Sequence, residues 1–572
     1  MKLAYRPEID GLRAIAVISV IFYHAEFTLY GQKIFQGGFL GVDIFFVISG
    51  YLITSILLNE YVKNKKISLS NFYERRIRRI LPTLIVITFF SCFLSVFILL
   101  PESLIGFSKT VIYSLSFLSN MYFWYSQTVY GAEASFFSPL LHTWSLSVEE
   151  QFYIFYPLLL ITLINFIKKN FIIVITLIFF FSFFLSIIGN YLVPSFNFFV
   201  LPTRVWEFLS GGILAYTEIF KKKKYSESNF QIILGIILIF ISIFYFNDEL
   251  KHPSLITLVP VIGSCLIIYN FEIKNKFIRD FLCNKFIIFI GLISYSLYLW
   301  HFPLLSYLKH LGLYDFNIFK ILILFLILIL SILTYKYVEQ FFRNKKLLFN
   351  KVLIFLFFSI ITLAIFSFKV MENDGYQERV NKDLSEFQIS FLNQKKDISI
   401  NLANENNLNN NFNLNLPNVL IMGNSHGFDL YTSLSTNKDF NKKYNFNFLH
   451  AQIKCMEESI KKKKKVCVRV LQFNQKKKFK QNLDKYFKSD IILIKTRWFD
   501  EDVKSLDNLL KFLKQDNKKI IIFSSTPEFN FKKKSIVDLK SNNILKKILY
   551  KNSDYIDRFI ISEDRLPNGK EL

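Results

Sequence analysis

The sequence predicts a polytopic α-helical membrane domain followed by a soluble α/β domain. Of its 572 residues, 52% are hydrophobic, and apolar stretches of about 20 residues, the length that spans a bilayer, recur along the first 370 positions. Beyond them, short apolar runs alternate with Lys-rich stretches. The formal net charge of +25 does not indicate a nucleic-acid partner, because much of the excess lies in short loops between the apolar stretches.

The apolar stretches predict about eleven transmembrane helices. The first is expected to be a retained span and not a removed signal peptide, because acidic residues precede its apolar run and no small-residue cleavage site follows it. The predicted spans cover residues 10–28, 37–58, 80–99, 146–166, 171–189, 204–219, 230–246, 254–270, 286–308, 318–337 and 351–369.

Loop charges predict the orientation of these spans. With the N-terminus in the cytoplasm, the inside segments carry 23 Lys and Arg residues, whereas the outside loops carry 4, as the positive-inside rule expects. An apolar stretch at 104–124 is predicted to be re-entrant or interfacial, because counting it as a span would invert every later loop. An odd number of spans places the chain after residue 370 outside the cytoplasm.

The remainder of the chain divides into a linker and a domain. We predict a membrane domain at 1–345, an additional helix at 346–370, a linker at 371–416 and a soluble domain at 417–572. The linker contains nine Asn residues among positions 401–415, a composition that cannot bury enough surface to fold. The runs NVLIM, DIILI and KIIIF in the soluble domain are typical of strands in a parallel sheet. Cys455 and Cys467 predict a disulfide outside the cytoplasm, with metal ligation as the alternative.

Two ionisable residues interrupt the first apolar stretch. Arg13 and His24 are separated by ten residues, so one helix would carry both on nearly the same face, about 16 Å apart along its axis. Ionisable groups within a membrane span normally mark a functional site. The alternative is that Arg13 extends to the headgroups while His24 lies at the opposite interface.

Further motifs follow in order along the chain. They are GVDIFFVISGYLI with Asp43; FYERRIRRILP with Arg75, Arg76, Arg78 and Arg79; HTWSLSVEEQFYIFYP with Glu149 and Glu150; TRVWEFLSGG with Arg204 and Glu207; and SYSLYLWHFPLL with His301. Together with Arg13 and His24, they closely resemble the acyltransferase 3 family of bacterial integral membrane O-acyltransferases over roughly residues 5–340. Arg13 and His24 match its Arg-x10-His motif, and the arginine cluster matches its Arg-x-x-Arg motif.

The resemblance implies transfer of an acyl group, usually acetyl, from cytoplasmic acyl-coenzyme A to a hydroxyl of an envelope glycan outside the cytoplasm. His24 suits the role of general base because its ordinary pKa lies near neutrality, and Arg13 would contribute to the electrostatics of the site. Guanidinium groups are natural receptors for the coenzyme A phosphates, so Arg75, Arg76, Arg78 and Arg79 are predicted to bind the donor. The alternative is that this cluster only anchors its span at the cytoplasmic surface.

Two acidic residues have two interpretations each. Glu149 either stabilises the start of a helix near Ser145 or Ser147, or belongs to the site and orients His24 or a second histidine such as His301. The family pattern favours the site. Asp43 is either a structural partner of an arginine, which we favour, or part of the cavity. No metal is predicted.

The soluble domain contains a second motif, GNSHG, directly after a predicted strand. It would place Ser425 at a sharp strand-to-helix turn with its hydroxyl exposed. This resembles the SGNH/GDSL hydrolase-like domain often fused to these acyltransferases and implies a nucleophilic role for Ser425. That family has its partner base in a C-terminal Asp-x-x-His block, but this sequence has no His after His450. The domain is therefore expected to be truncated, or to bind glycan without catalysis.

The sequence as a whole predicts a bacterial inner-membrane O-acyltransferase with an SGNH-like domain in the periplasm or outside the cell. Its partners would be acyl-coenzyme A, most simply acetyl-coenzyme A, the lipid bilayer and a glycan such as lipopolysaccharide O-antigen, exopolysaccharide or peptidoglycan. Two alternatives stay open. A transporter of acyl or glycan precursors would use Arg13 and His24 for translocation, and a glycan-binding envelope protein would show affinity without turnover.

Overall fold

The computed structural model of the chain forms two compact units, Met1–Gln377 and Glu378–Leu572. The predicted Asn-rich segment 401–415 and the predicted Cys455–Cys467 bridge lie outside the residues that the structure describes. Those residues are 5–29, 32–128, 135–166, 170–221, 228–247, 250–270, 275–314, 316–381, 416–423, 425–436, 438–450, 487–495, 510, 519–523, 528–529 and 561–562.

The first unit is helical, apart from a two-stranded antiparallel ribbon of β1 (Thr28–Leu29) and β2 (Gln32–Lys33). Its helices are α1 (Pro7–Ala25), α2 (Gly41–Asn64), α3 (Leu69–Ile98), α4 (Pro101–Leu115), α5 (Ser119–Thr128), α6 (Thr143–Phe166), α7 (Phe171–Leu192), α8 (Pro194–Phe199), α9 (Val205–Lys221), α10 (Asn229–Tyr245), α11 (Leu258–Tyr269), α12 (Lys276–Cys283), α13 (Lys285–Leu292), α14 (Ser294–His310), α15 (Asn317–Thr334), α16 (Gln340–Arg343) and α17 (Phe349–Glu372).

Each of the eleven predicted spans overlaps one or more of these helices. Within the described ranges, six helical segments are long and apolar enough to cross a membrane, and a seventh is obtained if a pair bent by 56°, Ile278–Leu292 and Ser294–His310, counts as one span. Helices α10 and α11 are apolar but shorter. The membrane-compatible part therefore contains six or seven span-length elements, and the full count of eleven stays a prediction.

The apolar stretch at 104–124 contains two helices, α4 and α5, and not one of span length. They are separated at Ser116–Leu118, where Phe117 has a positive φ of 55°. Neither helix is long enough to cross a bilayer unaided.

Helix α1 carries both Arg13 and His24, as their spacing predicts. It begins with Pro7. Backbone N–H groups in the first turn of a helix have no intrahelical partner, so the N–H that proline lacks costs no hydrogen bond there. Glu8 and Asp10 follow in that turn, where carboxylates interact favourably with the helix dipole. The same acidic residues make α1 less apolar than an ordinary span.

Helices α2 and α9 pack closely in the core, because glycines lie where their backbones meet. A Cβ added at Gly50 would lie 1.8 Å from the carbonyl oxygen of Phe208, and one at Gly211 would lie 2.0 Å from that of Val47. Small residues allow such close approach of helices in membranes. This contact fixes the position of the N-terminal half of α2, which borders the candidate site.

The described part of the second unit contains both helices and strands. The helices are α18 (Glu378–Asn381), α19 (Ser425–Thr436) and α20 (Lys438–Asn441), and the strands are β3 (Asn418–Gly423), β4 (Asn445–His450), β5 (Ile491–Lys495), β6 (Lys519–Ile522), β7 (Glu528–Phe529) and β8 (Ile561–Ser562). Four of these strands form a parallel sheet in the order β4–β3–β5–β6. Pairing of β3 with β4 and β5 aligns Gly423 with His450 and with Lys495. The parallel pairing agrees with the predicted α/β pattern.

Candidate active site

A cavity lies among helices α1, α2, α3, α6 and α14 of the first unit, and together with the solvent space at its opening it contains about 790 Å³ that no atom fills. Apolar side chains from α2 form much of its wall. Its polar lining consists of Arg13, Ser49, Arg76, Arg79, Ser145, Glu149, Tyr153, Ser294, Tyr295 and Tyr298. The cavity therefore joins residues from five of the sequence motifs that are far apart in the chain.

Three arginines line one part of this cavity. Arg76 and Arg79 are three residues apart on α3, a spacing that places side chains on the same helix face. Arg13 joins them from α1, where its Nη1 lies 3.2 Å from Oδ1 of Asp10. We name this part, defined by Arg13, Arg76 and Arg79, the arginine end.

Two of the three arginines at the arginine end lack a direct ion pair. Neither Arg76 nor Arg79 forms an ion pair with any residue that the structure describes. The guanidinium of Arg76 lies 5.6 Å from the ring centre of Phe72 and 5.2 Å from that of Tyr153, and its Nε has no hydrogen-bond partner. Glu149 and Glu150 lie near Arg76, and Glu339 lies near Arg79, without pairing with them directly. Guanidinium groups that border a cavity without a direct ion pair suit the binding of an anionic ligand.

The other two arginines of the RRIRR cluster make different contacts. Nε of Arg78 lies 2.8 Å from Oε1 of Glu74, and its Nη2 donates to the carbonyl oxygen of Leu347 at 2.7 Å. Nη2 of Arg75 lies 3.8 Å from Oε2 of Glu60. Neither Arg75 nor Arg78 belongs to the lining of the cavity.

Glu149 lines the cavity from the second turn of α6 and not from the helix start. Its carboxylate accepts hydrogen bonds from the hydroxyl groups of Ser49 on α2 and Tyr153 on α6. These bonds hold the carboxylate in the cavity wall. Glu150, the next residue, is buried, and its Oε1 has no hydrogen-bond partner.

Three histidines meet beyond the cavity, and we name them the histidine cluster: His24, His142 and His301. The ring centre of His301 lies 5.5 Å from that of His24 and 5.6 Å from that of His142. His301 and His142 are buried, whereas His24 is partly exposed. His142 directly precedes α6. The sequence analysis does not predict it as a site residue, although it is the first residue of the HTWSLSVEEQ motif.

Tyr298 connects the cavity to the histidine cluster. Its side chain lines the cavity, and its ring centre lies 5.2 Å from that of His301. Its hydroxyl lies 2.5 Å from Oγ of Ser145 and donates to the carbonyl oxygen of His142 at 3.1 Å. Tyr298 and Ser145 thus form the wall between the cavity and the histidine cluster.

Asp43 and Arg204 belong to a separate buried ionic cluster. Nη1 of Arg204 lies 3.2 Å from Oδ1 of Asp43 and 3.1 Å from Oε1 of Glu207. His252 joins this cluster with its Nε2, 2.9 Å from Nη1 of Arg204. The geometry agrees with Asp43 as the partner of an arginine, and nothing in the sequence around His252 marked it as a member.

Ser425 is the first residue of α19, and one residue separates it from the end of β3 at Gly423. This backbone arrangement is the strand-to-helix turn that GNSHG predicts. Its nucleophilic role stays a prediction. In the described parts of the chain, no three or more His, Cys, Asp or Glu side chains are grouped so as to hold a metal ion.

Comparisons with known proteins agree with the motifs of the first unit. The "Putative O-acetyltransferase SAS0844" of Staphylococcus aureus (strain MSSA476) is 36% identical over 365 residues, which cover 60% of this chain and 58% of that protein. The "O-acetyltransferase OatA" of Staphylococcus aureus (strain NCTC 8325 / PS 47) is 34% identical over 320 residues, or 53% of this chain and 51% of that protein. The chain thus spans little more than half the length of these curated relatives.

No solved structure matches the chain. The family model described as an acyltransferase domain matches residues 6–336, more than half of the sequence and nearly the region over which the motifs resemble that family. The match includes the arginine end, the histidine cluster and the helices that carry them. The chain therefore belongs to the acyltransferase 3 family, whose members are enzymes that transfer acyl groups.

Proposed function

We propose that the protein is an O-acyltransferase, most simply an O-acetyltransferase, that moves an acyl group from acyl-coenzyme A to a hydroxyl of a cell-envelope polysaccharide. The observation that carries the proposal is the arrangement of the first unit. A cavity with three arginines is separated from three histidines by the Tyr298–Ser145 wall. One part suits an anionic donor and the other suits proton transfer.

The donor binds at the arginine end. Coenzyme A carries phosphates, which Arg13, Arg76 and Arg79 would bind through charge-assisted hydrogen bonds. The remaining length of the donor extends along the apolar wall of α2, so that its thioester approaches Tyr298. In this arrangement Arg13 acts on the donor and not on His24, although both residues lie on α1.

The acceptor hydroxyl meets the acyl group at His24. His24 is the partly exposed member of the histidine cluster, so an acceptor reaches it before the two buried histidines. The acceptor oxygen forms a bond to the acyl carbon while its proton passes to His24. The bond from carbon to sulfur breaks, and the thiolate of coenzyme A then takes up a proton.

The proposed location is the bacterial inner membrane, with the N-terminus in the cytoplasm and the second unit on the other side. The excess of Lys and Arg in the predicted inside segments supports this orientation. A reporter that is active only outside the cytoplasm should be active when fused after Asn415 and inactive when fused after Lys224. The reverse result at either position would contradict the orientation.

Ser425 is proposed to act outside the cytoplasm, where the resemblance to SGNH hydrolases gives it a nucleophile's position. The parallel sheet and the start of α19 at Ser425 support this proposal. The glycan acceptor would be a lipopolysaccharide O-antigen, an exopolysaccharide or peptidoglycan.

Mass spectrometry of envelope glycans tests the proposed function. A deletion strain should lose base-labile acyl esters, and expression of the wild-type chain should restore them. A transporter would instead move a precursor without forming an ester, and a binding protein would retain glycan without turnover. If glycans from the deletion strain keep the full set of acyl esters, the O-acyltransferase proposal is wrong.

A further inference from the structure

His301 has one ring nitrogen in a fixed hydrogen bond. Its Nδ1 lies 2.5 Å from the backbone carbonyl oxygen of Tyr298, one turn earlier on α14. A carbonyl oxygen only accepts hydrogen bonds, so Nδ1 must carry the hydrogen. In a neutral imidazole the other nitrogen is then the acceptor. The backbone of α14 thereby leaves the lone pair of His301 on Nε2.

The Nε2 atom of His301 is buried and has no hydrogen-bond partner. A buried acceptor without a partner costs about 1–3 kcal/mol, so a hydrogen bond donated to Nε2 by a neighbouring group would be favourable. The rings of His24 and His142 are the neighbouring donors, and His24 is the one at which the proposed function places the acceptor hydroxyl. Two imidazoles joined by one N–H···N bond have ring centres roughly 5 Å apart, since their nitrogens are about 2.9 Å apart. The observed separation is 5.5 Å.

We infer that His301 is a positioning residue for His24, an inference that rests on the proposed function. As the acceptor hydroxyl transfers its proton to one nitrogen of His24, Nε2 of His301 accepts a hydrogen bond from the other. The carbonyl oxygen of Tyr298 holds His301 in the required tautomer. The proton then passes from His24 to the thiolate of coenzyme A, so the pair ends the cycle in its starting state. This is the arrangement of a base oriented by a third group.

His142 is not equivalent to His301, although it lies in the same cluster. Its ring nitrogens make no hydrogen bond like the one between Nδ1 of His301 and the carbonyl oxygen of Tyr298, so its tautomer is not set in that way. Its backbone carbonyl instead accepts the hydroxyl of Tyr298. The inference therefore assigns the orienting role to His301 alone.

Variants of His301 distinguish orientation from packing. The amide of glutamine reaches the position of Nε2, whereas that of asparagine reaches only the position of Nδ1. We therefore compare His301→Gln with His301→Asn, and use His310→Gln on the same helix as the matched control. The assay measures acetyl-coenzyme A-dependent thiol release in membrane vesicles of the expression strain, which contain its own envelope glycans. Size-exclusion profiles of the full chain confirm that each variant folds.

His301→Asn should lower kcat about 10²-fold, the low end of the range for losing general-base catalysis, because His24 would no longer be oriented. The KM for acetyl-coenzyme A should stay within about twofold of the wild-type value. His301→Gln should recover at least about tenfold of that loss, because its amide oxygen can accept the hydrogen bond from His24. His310→Gln should match the wild type. Equal kcat for the Gln and Asn variants, or an increase in KM alone, would overturn the role of His301. Thiol release by the wild type no faster than by empty-vector vesicles would overturn the proposed function, and this inference with it.

Discussion

The arginine end and the histidine cluster share helix α1 but differ in how their side chains are held. At the arginine end, Arg76 and Arg79 have no ion-pair partner in the described structure and lie beside open space. In the histidine cluster, His301 is buried and its Nδ1 is fixed by a backbone carbonyl. The first arrangement suits binding of a charged ligand, and the second suits movement of a proton. Substitutions at the two places should therefore change different kinetic constants.

His24→Ala should give the largest effect, with loss of acylation on the order of 10² to 10⁴ in rate. His24 is the proposed base. Alanine has the highest helix propensity, so the substitution should leave α1 helical. Quantification of acyl esters in envelope glycans, normalised to the amount of inserted protein, gives the measurement. Wild-type levels of ester in a normally expressed variant would remove His24 from the mechanism.

Removal of a charged group outside the arginine end and the histidine cluster should lower the stability of the protein. Arg204→Leu removes the arginine partner of buried Asp43 and leaves His252 as its remaining basic neighbour, and breaking a buried ion pair costs about 3–5 kcal/mol. We expect a lower thermal unfolding temperature of the purified protein in detergent. Arg13 is partly exposed, so its replacement should lower the thermal unfolding temperature less than Arg204→Leu does. An Arg204→Leu protein as stable as the wild type would show that the ionic cluster contributes nothing to folding.

Arg79→Gln should raise KM for acyl-coenzyme A about tenfold or more, since hydrogen bonds to charged groups contribute about 1.5–3 kcal/mol. The value of kcat should stay within about threefold of the wild type, because the histidine cluster is intact. Steady-state thiol release at varied donor concentration gives both constants. A change confined to kcat would contradict donor binding at the arginine end.

Arg75→Gln should have the smallest effect and is the matched control for Arg79→Gln on the same helix. Its contact with Glu60 is 3.8 Å long and the side chain is 40% exposed, and such surface pairs contribute about 1 kcal/mol or less. Both KM and the unfolding temperature should stay close to the wild-type values. A rise in KM equal to that of Arg79→Gln would show that the donor also contacts Arg75, one turn before Arg79 on α3.

The sequence by itself determined the class of the protein and predicted the charged residues of the candidate site. Apolar stretches predicted the helices, the loop charges predicted an orientation, and the spacing of Arg13 and His24 placed both on one helix. These features depend on neighbouring residues, so local patterns are sufficient to predict them. The number of spans was harder to predict. A helix that other helices shield from lipid can be short, or can carry charged residues as α1 does, because its polar groups do not face the lipid.

Tertiary structure alone decided how the site residues are grouped. RRIRR contains two overlapping Arg-x-x-Arg pairs, and the packing of α3 places Arg76 and Arg79 at the cavity while Arg78 binds Glu74 and backbone carbonyls. Likewise, His301 reaches His24 because α14 packs against α1, and His142 joins them from the residue just before α6. Such groupings depend on the rotation of each helix about its axis, which is set by contacts between segments distant in the chain, and no local pattern records them.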